Sequence, residues 1–382
     1  MRTLRVTPIG REEHLRFVSG LPEASFLQCP SWADVKVDWR SESLGWKDPS
    51  GSLIGSALVL YRRTPALDRY LAYIPEGPLI DWRDDHLAGW LEPLLDHLRS
   101  RRAFTLKMGP PLSLRRWRAS TLKQAISDGV VRKLHEVQPE VTDGSTARVT
   151  GTLLSMGWVP GASRTSGYGT IQPRYIVELP LAGRTLDDVW KGFSQLWRRN
   201  VRKSERAGVD VVIGGYEDLP VFYDLLTATQ NRNRFDLGRS LPYYQRQYRA
   251  LTAEDPNRMR LYLARHGDDI LAAHTMNIVG SRAWYQLGGS ANQKRHIPAS
   301  YTLQWRMIQD AYALGASAYD MRGVTDLLDP SAPGLGLLQW KLGTGGDVVE
   351  LFGEWDFPLN RPLSRVFERY MALRGRWSRR RA

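Results

Sequence analysis

The 382 residues of this chain exceed the roughly 250 to 300 at which one hydrophobic core stops growing, so two domains are expected; 42% hydrophobic and 24% charged residues exclude disorder as the overall description. An N-terminus without an apolar h-region, and no run of about 18 apolar residues, argue against secretion and membrane spanning and for a cytoplasmic protein. A lone cysteine, Cys29, excludes an internal disulfide or a Cys-rich zinc site, while a net charge of +13 favours partners that carry phosphate or other negative charge.

In chain order, residues 51–61 predict a turn and strand, and 69–74 the next strand. Leu87, Trp90, Leu91, Leu94, Leu95 and Leu98 fall at helical spacing in a helix from about 84 to 100, and 103–107 is a strand. A run rich in Gly, Ser, Thr and Pro, 150–173, marks the domain junction. The expected domains are therefore 1–160, completed by the C-terminal segment 353–382, and 161–352. A helix from about 186 to 207 carries Val189, Phe193, Leu196, Trp197 and Val201 on one face. Arg198, Arg199, Arg202, Lys203 and Arg206 lie on another, either as a solvated surface or as a stripe for nucleic-acid phosphates.

Strands follow at 260–265, 270–278 and 283–287, the first two joined as a hairpin. A helix at 300–314 stops at Gly315, and 318–321 is a strand. Residues 348–357 read as a strand and 362–376 as a helix, leading to the basic stretch 374–381, which is a solvated end or a contact for RNA or anionic lipid. Gly51 and Gly267 are about 216 positions apart, as are Asp84 and Ser300, which points to a duplicated unit.

Hairpin, strand, helix ending at glycine and strand, in that order, is how the GNAT acyltransferase fold reads in sequence. The expected fold class is mixed α/β, with two tandem GNAT-like domains. In that fold an acyl-CoA pyrophosphate rests on a glycine-containing loop before the main helix, where backbone N–H groups approach closely. Here the matching loop, 293–300, has no glycine and includes Pro298, which has no N–H; the first copy, 81–86, also lacks glycine. CoA-dependent acetyl transfer is disfavoured and no cofactor is expected. The seven histidines show neither His-x-x-x-His spacing nor cysteine partners, so no metal site is expected either.

Phe26-Leu-Gln-Cys-Pro-Ser-Trp32 with Lys36, Tyr73-Ile-Pro-Glu-Gly-Pro78, the basic helix, Thr229-Gln-Asn-Arg232-Asn-Arg-Phe235 and Tyr285-Gln-Leu-Gly-Gly-Ser290 occur in that order. Tyr319-Asp320-Met-Arg-Gly323 and then Trp340-Lys341-Leu-Gly343 are the most specific pieces. The ordered set resembles the Fem family, non-ribosomal peptidyl transferases that move an amino acid from aminoacyl-tRNA to the stem peptide of a peptidoglycan precursor. The resemblance implies that Lys36 and Arg232 meet the diphosphate of UDP-MurNAc-pentapeptide or lipid II, and that Tyr285 walls the precursor pocket. Leu287 stands where the family often repeats tyrosine. Lys341 is the implied catalytic cation near the acceptor end of the tRNA, with Trp340 flanking the terminal adenosine. The basic helix residues complete the tRNA-binding set.

An aminoacyl ester is already activated, so no enzyme nucleophile is needed; the protein supplies positioning, a route for the amine proton and oxyanion donors. The stretch Lys107-Met-Gly-Pro-Pro111 lacks the acid some family members carry before the proline, and Asp320 reads as structural. The resemblance further implies glycine, alanine or serine as cargo, a monomer, and peripheral contact with the inner membrane face. Only the short, Arg-rich stretch 230–239 separates the neighbouring elements, which leaves no room for the long helical arm of some relatives, and the acceptor is expected in the groove where the two lobes meet. Two other readings remain: a tRNA-dependent transferase of a peptide antibiotic pathway, and a non-catalytic basic RNA-binding protein on this fold.

Overall fold

The computed structural model describes residues 4–64, 67–161, 172–233 and 238–379, with 371–379 described as helical backbone. Residues 162–171 of the Gly- and Ser-rich run lie outside the described residues, as do Arg234 and Phe235 of the Thr229 motif and Arg380 and Arg381 of the basic stretch.

The chain divides into two compact units, Met1–Arg115 with Thr142–Arg174 and Glu350–Ala382, and Arg116–Val141 with Tyr175–Val349. The C-terminal segment joins the first unit as expected, but 116–141 belongs to the second rather than to 1–160, for a reason that lies in the cores. Trp117, Leu122, Leu134 and Val137 are buried with Val177, Phe193 and Trp197 in the second unit's core. Val149, Leu153 and Trp158 are buried with Trp46 and Leu94 in the first. The expected linker also begins too early. Residue 150 lies inside the helix Ser145–Met156, whose Thr146, Val149 and Leu153 recur at helical spacing and which stops at left-handed Gly157.

In the first unit the sheet runs in the order Arg5–Pro8, Arg40–Lys47, Leu53–Arg63, Tyr70–Ile74, Ala103–Met108, Trp355–Phe357 and Val159–Pro160. The helix Leu87–Ser100 lays Leu87, Trp90, Leu91, Leu94, Leu95 and Leu98 on the core. Each such side chain contributes about 1.5–3 kcal/mol on full burial. The strand expected over 348–357 is two strands, Asp347–Leu351 and Trp355–Phe357, separated at Gly353 with φ 85°.

The second unit repeats the order. Met259–His266 and Asp269–Val279 form a hairpin about left-handed Gly267, and Arg282–Ser290 pairs antiparallel to the second of these. The helix Ala299–Ala313 follows, and then Ala318–Gly323, parallel to Arg282–Ser290 and antiparallel to Tyr175–Pro180. Leu303, Met307, Ile308 and Ala311 of the helix pack with Tyr262, Met276 and Tyr319 of the sheet. Two units of hairpin, strand, helix and parallel strand make this a tandem GNAT-like α/β protein.

The helix expected from 186 to 207 is two helices, Leu186–Gly192 and Gln195–Arg206. Phe193 between them is extended, and each helix has its own side-chain cap: Thr185 accepts from the Asp188 amide, Ser194 from the Trp197 amide. Leu196, placed on the apolar face, is 50% exposed. On either side of 234–237, Leu219–Asn233 and Leu241–Glu254 are helices of ordinary length.

Candidate active site

The two copies differ where their parallel strands meet. In the first unit Tyr70–Ile74 stays paired with Ala103–Met108 to the last rung, Ile74 to Met108. In the second the parallel ladder holds at Arg282–Ala318, Ala283–Tyr319 and Trp284–Asp320, and ends there. Beyond that rung Tyr285–Ser290 remains with Asp269–Val279, while Ala318–Gly323 bulges between Asp320 and Gly323 with Arg322 at φ 62°. A splayed pair of strands leaves backbone polar groups without a ladder partner, and these must be satisfied otherwise.

Lys341 takes up two of them, both carbonyls of Ala318–Gly323. It lies on the helix Leu335–Leu342, is only 3% exposed, and its Nζ donates to the carbonyls of Arg322 at 3.2 Å and Gly323 at 2.8 Å. Burial pushes its pKa down to about 7, against the pull of the Asp320 carboxylate and with help from the Arg322 charge. An amine that titrates near neutrality beside an opened ladder has the character of a functional group rather than of a surface charge. Asp320, by contrast, is held by Arg282 at 3.2 Å and by the Arg322 amide at 2.6 Å; Arg282 also pairs with Glu178, 2.7 Å away.

Around Lys341 the rings form a continuous track. Half-buried Trp340 lies 5.2 Å from Trp197, 6.1 Å from Tyr301 and 6.3 Å from Tyr285, centroid to centroid. Its carbonyl accepts from the Trp197 indole at 2.7 Å, and a methyl group on Gly343 would overlap that indole, which explains glycine after Trp-Lys-Leu. Phe193 joins Trp197 at 5.3 Å to Trp305 at 5.3 Å, and Trp305 lies 5.1 Å from Trp190. Tyr285, half-buried, packs 5.0 Å from the buried His274 ring and close to Gly288, where a Cβ would meet the Tyr285 hydroxyl. His274 is neutral, its pKa pushed down to about 3 by burial, and its Nδ1 accepts from Gln304, which in turn accepts from the Tyr319 hydroxyl at 2.6 Å.

The track opens at Trp190 onto a groove of 980 Å³. Arg198, Arg199, Arg202, Lys203 and Arg206 all line it, together with Trp190, Gln195 and a sixth cation, Lys191. Its one acid, Asp187, is engaged with Lys191 at 2.6 Å, and Arg202 lies over the Trp190 ring at 5.6 Å. The sequence stripe did not include Trp190 and Lys191, which the structure places on the preceding helix; the Thr185 and Ser194 capping positions are the signal that separates the two.

Arg232, at the end of Leu219–Asn233, donates to the Ser290 carbonyl and hydroxyl, to Asn292 and to Thr229. Its neighbour in charge is Arg295, and burial together with that cation lowers its pKa. Lys36 belongs to the first unit, at the end of the short helix Ser31–Val35, with its Nζ 4.9 Å over the Trp32 ring. Tyr285, Trp340, Lys341 and the basic helix are thus assembled in one unit, with Arg232 on the same unit's Ser290 strand end.

Two curated proteins, the lipid II:glycine glycyltransferases of Staphylococcus haemolyticus (strain JCSC1435) and Staphylococcus aureus (strain MRSA252), are each 23% identical to this chain over 94% of its length and 94% of theirs. The crystal structure of FemX superposes with a TM-score of 0.77 at 21% identity, covering 95% of this chain and 100% of that one. A conserved protein of unknown function from Bacteroides thetaiotaomicron VPI-5482 covers 92% of this chain with a TM-score of 0.53 at 8% identity, a likeness of fold. The FemAB family model matches residues 9–265 and 247–370, and this chain belongs to the FemAB family.

Proposed function

We propose that the protein is an aminoacyltransferase that moves glycine, alanine or serine from aminoacyl-tRNA to the stem-peptide amine of a peptidoglycan precursor, lipid II or UDP-MurNAc-pentapeptide. The activity named for the relatives supports the acceptor and the reaction class. The donor rests on one observation: a cationic groove whose only acid is already engaged leads, ring by ring, to Lys341 at the splayed strands. The groove suits tRNA phosphates, and the half-buried rings suit the unpaired bases of its 3′ end, since stacking is tolerant of sequence.

The acceptor amine attacks the ester carbonyl carbon, and the new C–N bond gives a tetrahedral intermediate whose oxygen carries the charge. The C–O bond to the terminal ribose then breaks, and the proton lost by the amine balances the one gained by the leaving hydroxyl. Lys341 as an ammonium has three N–H groups, of which two serve the Arg322 and Gly323 carbonyls; the third is available to the oxyanion. Arg232 meets the diphosphate of the acceptor, as the family resemblance implies for it and, in the other unit, for Lys36. Four hydrogen bonds already fix the Arg232 fork, so it acts as an immobilised charge beside Arg295 rather than as a bidentate clamp. The protein works as a monomer and meets lipid II at the inner membrane face.

The direct test is to incubate the protein with a mixture of charged tRNAs and a pentapeptide precursor and to weigh the product. A mass gain of one aminoacyl residue is expected with wild type and none with Lys341→Met. No gain with any charged tRNA overturns the reading.

A further inference from the structure

The helix Arg361–Arg379 is attached along one face. Ser364 Oγ donates to the Phe104 carbonyl at 2.9 Å, and Phe367 meets the Phe104 ring at 5.1 Å. Away from that face Val366 is 64% exposed and Tyr370 49%, one turn apart. In the sequence the same spacing continues to Leu373 and Trp377. Arg361, Arg365, Arg369, Arg374, Arg376 and Arg379 share the helix with a single acid, Glu368.

An apolar line flanked by arginines matches the boundary between acyl chains and anionic headgroups. We propose that this helix lies flat on an anionic lipid bilayer, with Val366 and Tyr370 entering the acyl boundary and the exposed Arg361, Arg365 and Arg369 meeting headgroup phosphates. Two other occupants fit the face less well. An RNA backbone asks for cations and has no use for an apolar line; on Gln195–Arg206 Arg199, Arg202, Lys203 and Arg206 are exposed and Leu196 is the one large apolar side chain exposed, while Trp197 and Val201 are buried. A second copy of the chain would set arginine against arginine, an unfavourable juxtaposition of like charge. Among the described residues no helix is long and apolar enough to cross a membrane, so the contact is with the bilayer surface.

The inference goes beyond the transfer reaction and is tested without tRNA or acceptor, so its failure leaves that reading intact. The full chain, a Val366→Glu/Tyr370→Glu variant and an Arg199→Glu/Arg202→Glu variant are sedimented with vesicles of phosphatidylcholine alone or mixed with phosphatidylglycerol. Wild type and the Arg199/Arg202 variant should bind the anionic vesicles and not the neutral ones. The Val366/Tyr370 variant should lose about 10-fold or more of that binding while its circular dichroism and its affinity for tRNA stay unchanged. Vesicle binding kept by the Val366/Tyr370 variant, or lost in the Arg199/Arg202 variant instead, overturns the proposal. So does loss of tRNA binding, or of a dimer in light scattering, with vesicle binding unaltered.

Discussion

Lys341 gives N–H groups to two carbonyls that an open ladder leaves without a strand partner, and it does so from a site that burial makes hostile to its charge. In the unfolded chain the same amine titrates near about 10.4. Between about pH 7 and 10 the unfolded state therefore holds more protons, and stability rises with pH across that window. The melting temperature of wild type relative to Lys341→Met should climb through the window and level off below it; a flat difference would sink the assignment. Gly343 is the second residue to test. Alanine there must displace the Trp197 indole, at a cost of about 1–3 kcal/mol in urea unfolding, and should weaken tRNA binding because Trp197 underlies both the ring track and the basic helix.

Among the elements, the basic helix Gln195–Arg206 is the one whose function depends on where it starts. Its cap, Ser194, is worth about 1 kcal/mol, so Ser194→Ala should fray the turn that carries Arg198 and lower tRNA affinity. Each cation removed, as in Arg199→Ala or Arg202→Ala, should reduce the slope of log affinity against log salt by about 0.7 to 0.9. An unchanged slope would mean that the groove does not meet phosphates. The cationic face was legible in the sequence because it follows a simple period. The break was not, because Val189, Phe193, Trp197 and Val201 keep a spacing of four straight through it, and only the two caps mark it. The splay was illegible for a different reason: a ladder ends by a pairing that is missing, and no residue type announces that.

For the whole molecule, the order of elements was readable twice over, since hairpin glycines and apolar periods are local signals. The exchange of 116–141 into the second unit was not, because it depends on which distant core Trp117 and Leu134 enter. The zipped strands of one copy and the parted strands of the other lead to an unequal freedom to vary. In the first unit residues 106–108 end a closed ladder, and Leu106 and Met108 act as filling. Residues 321–323 in the second hold a bulge, a left-handed arginine and the carbonyls that seat Lys341. A saturation library scored for amide formation should find Leu106 and Met108 tolerant of other apolar residues of similar volume. It should find 321–323 intolerant of nearly any change, although the two stretches occupy corresponding places in the repeated order of elements. On the proposed reaction, one copy is free to vary within the limits of packing while the other is tied to the seat of Lys341.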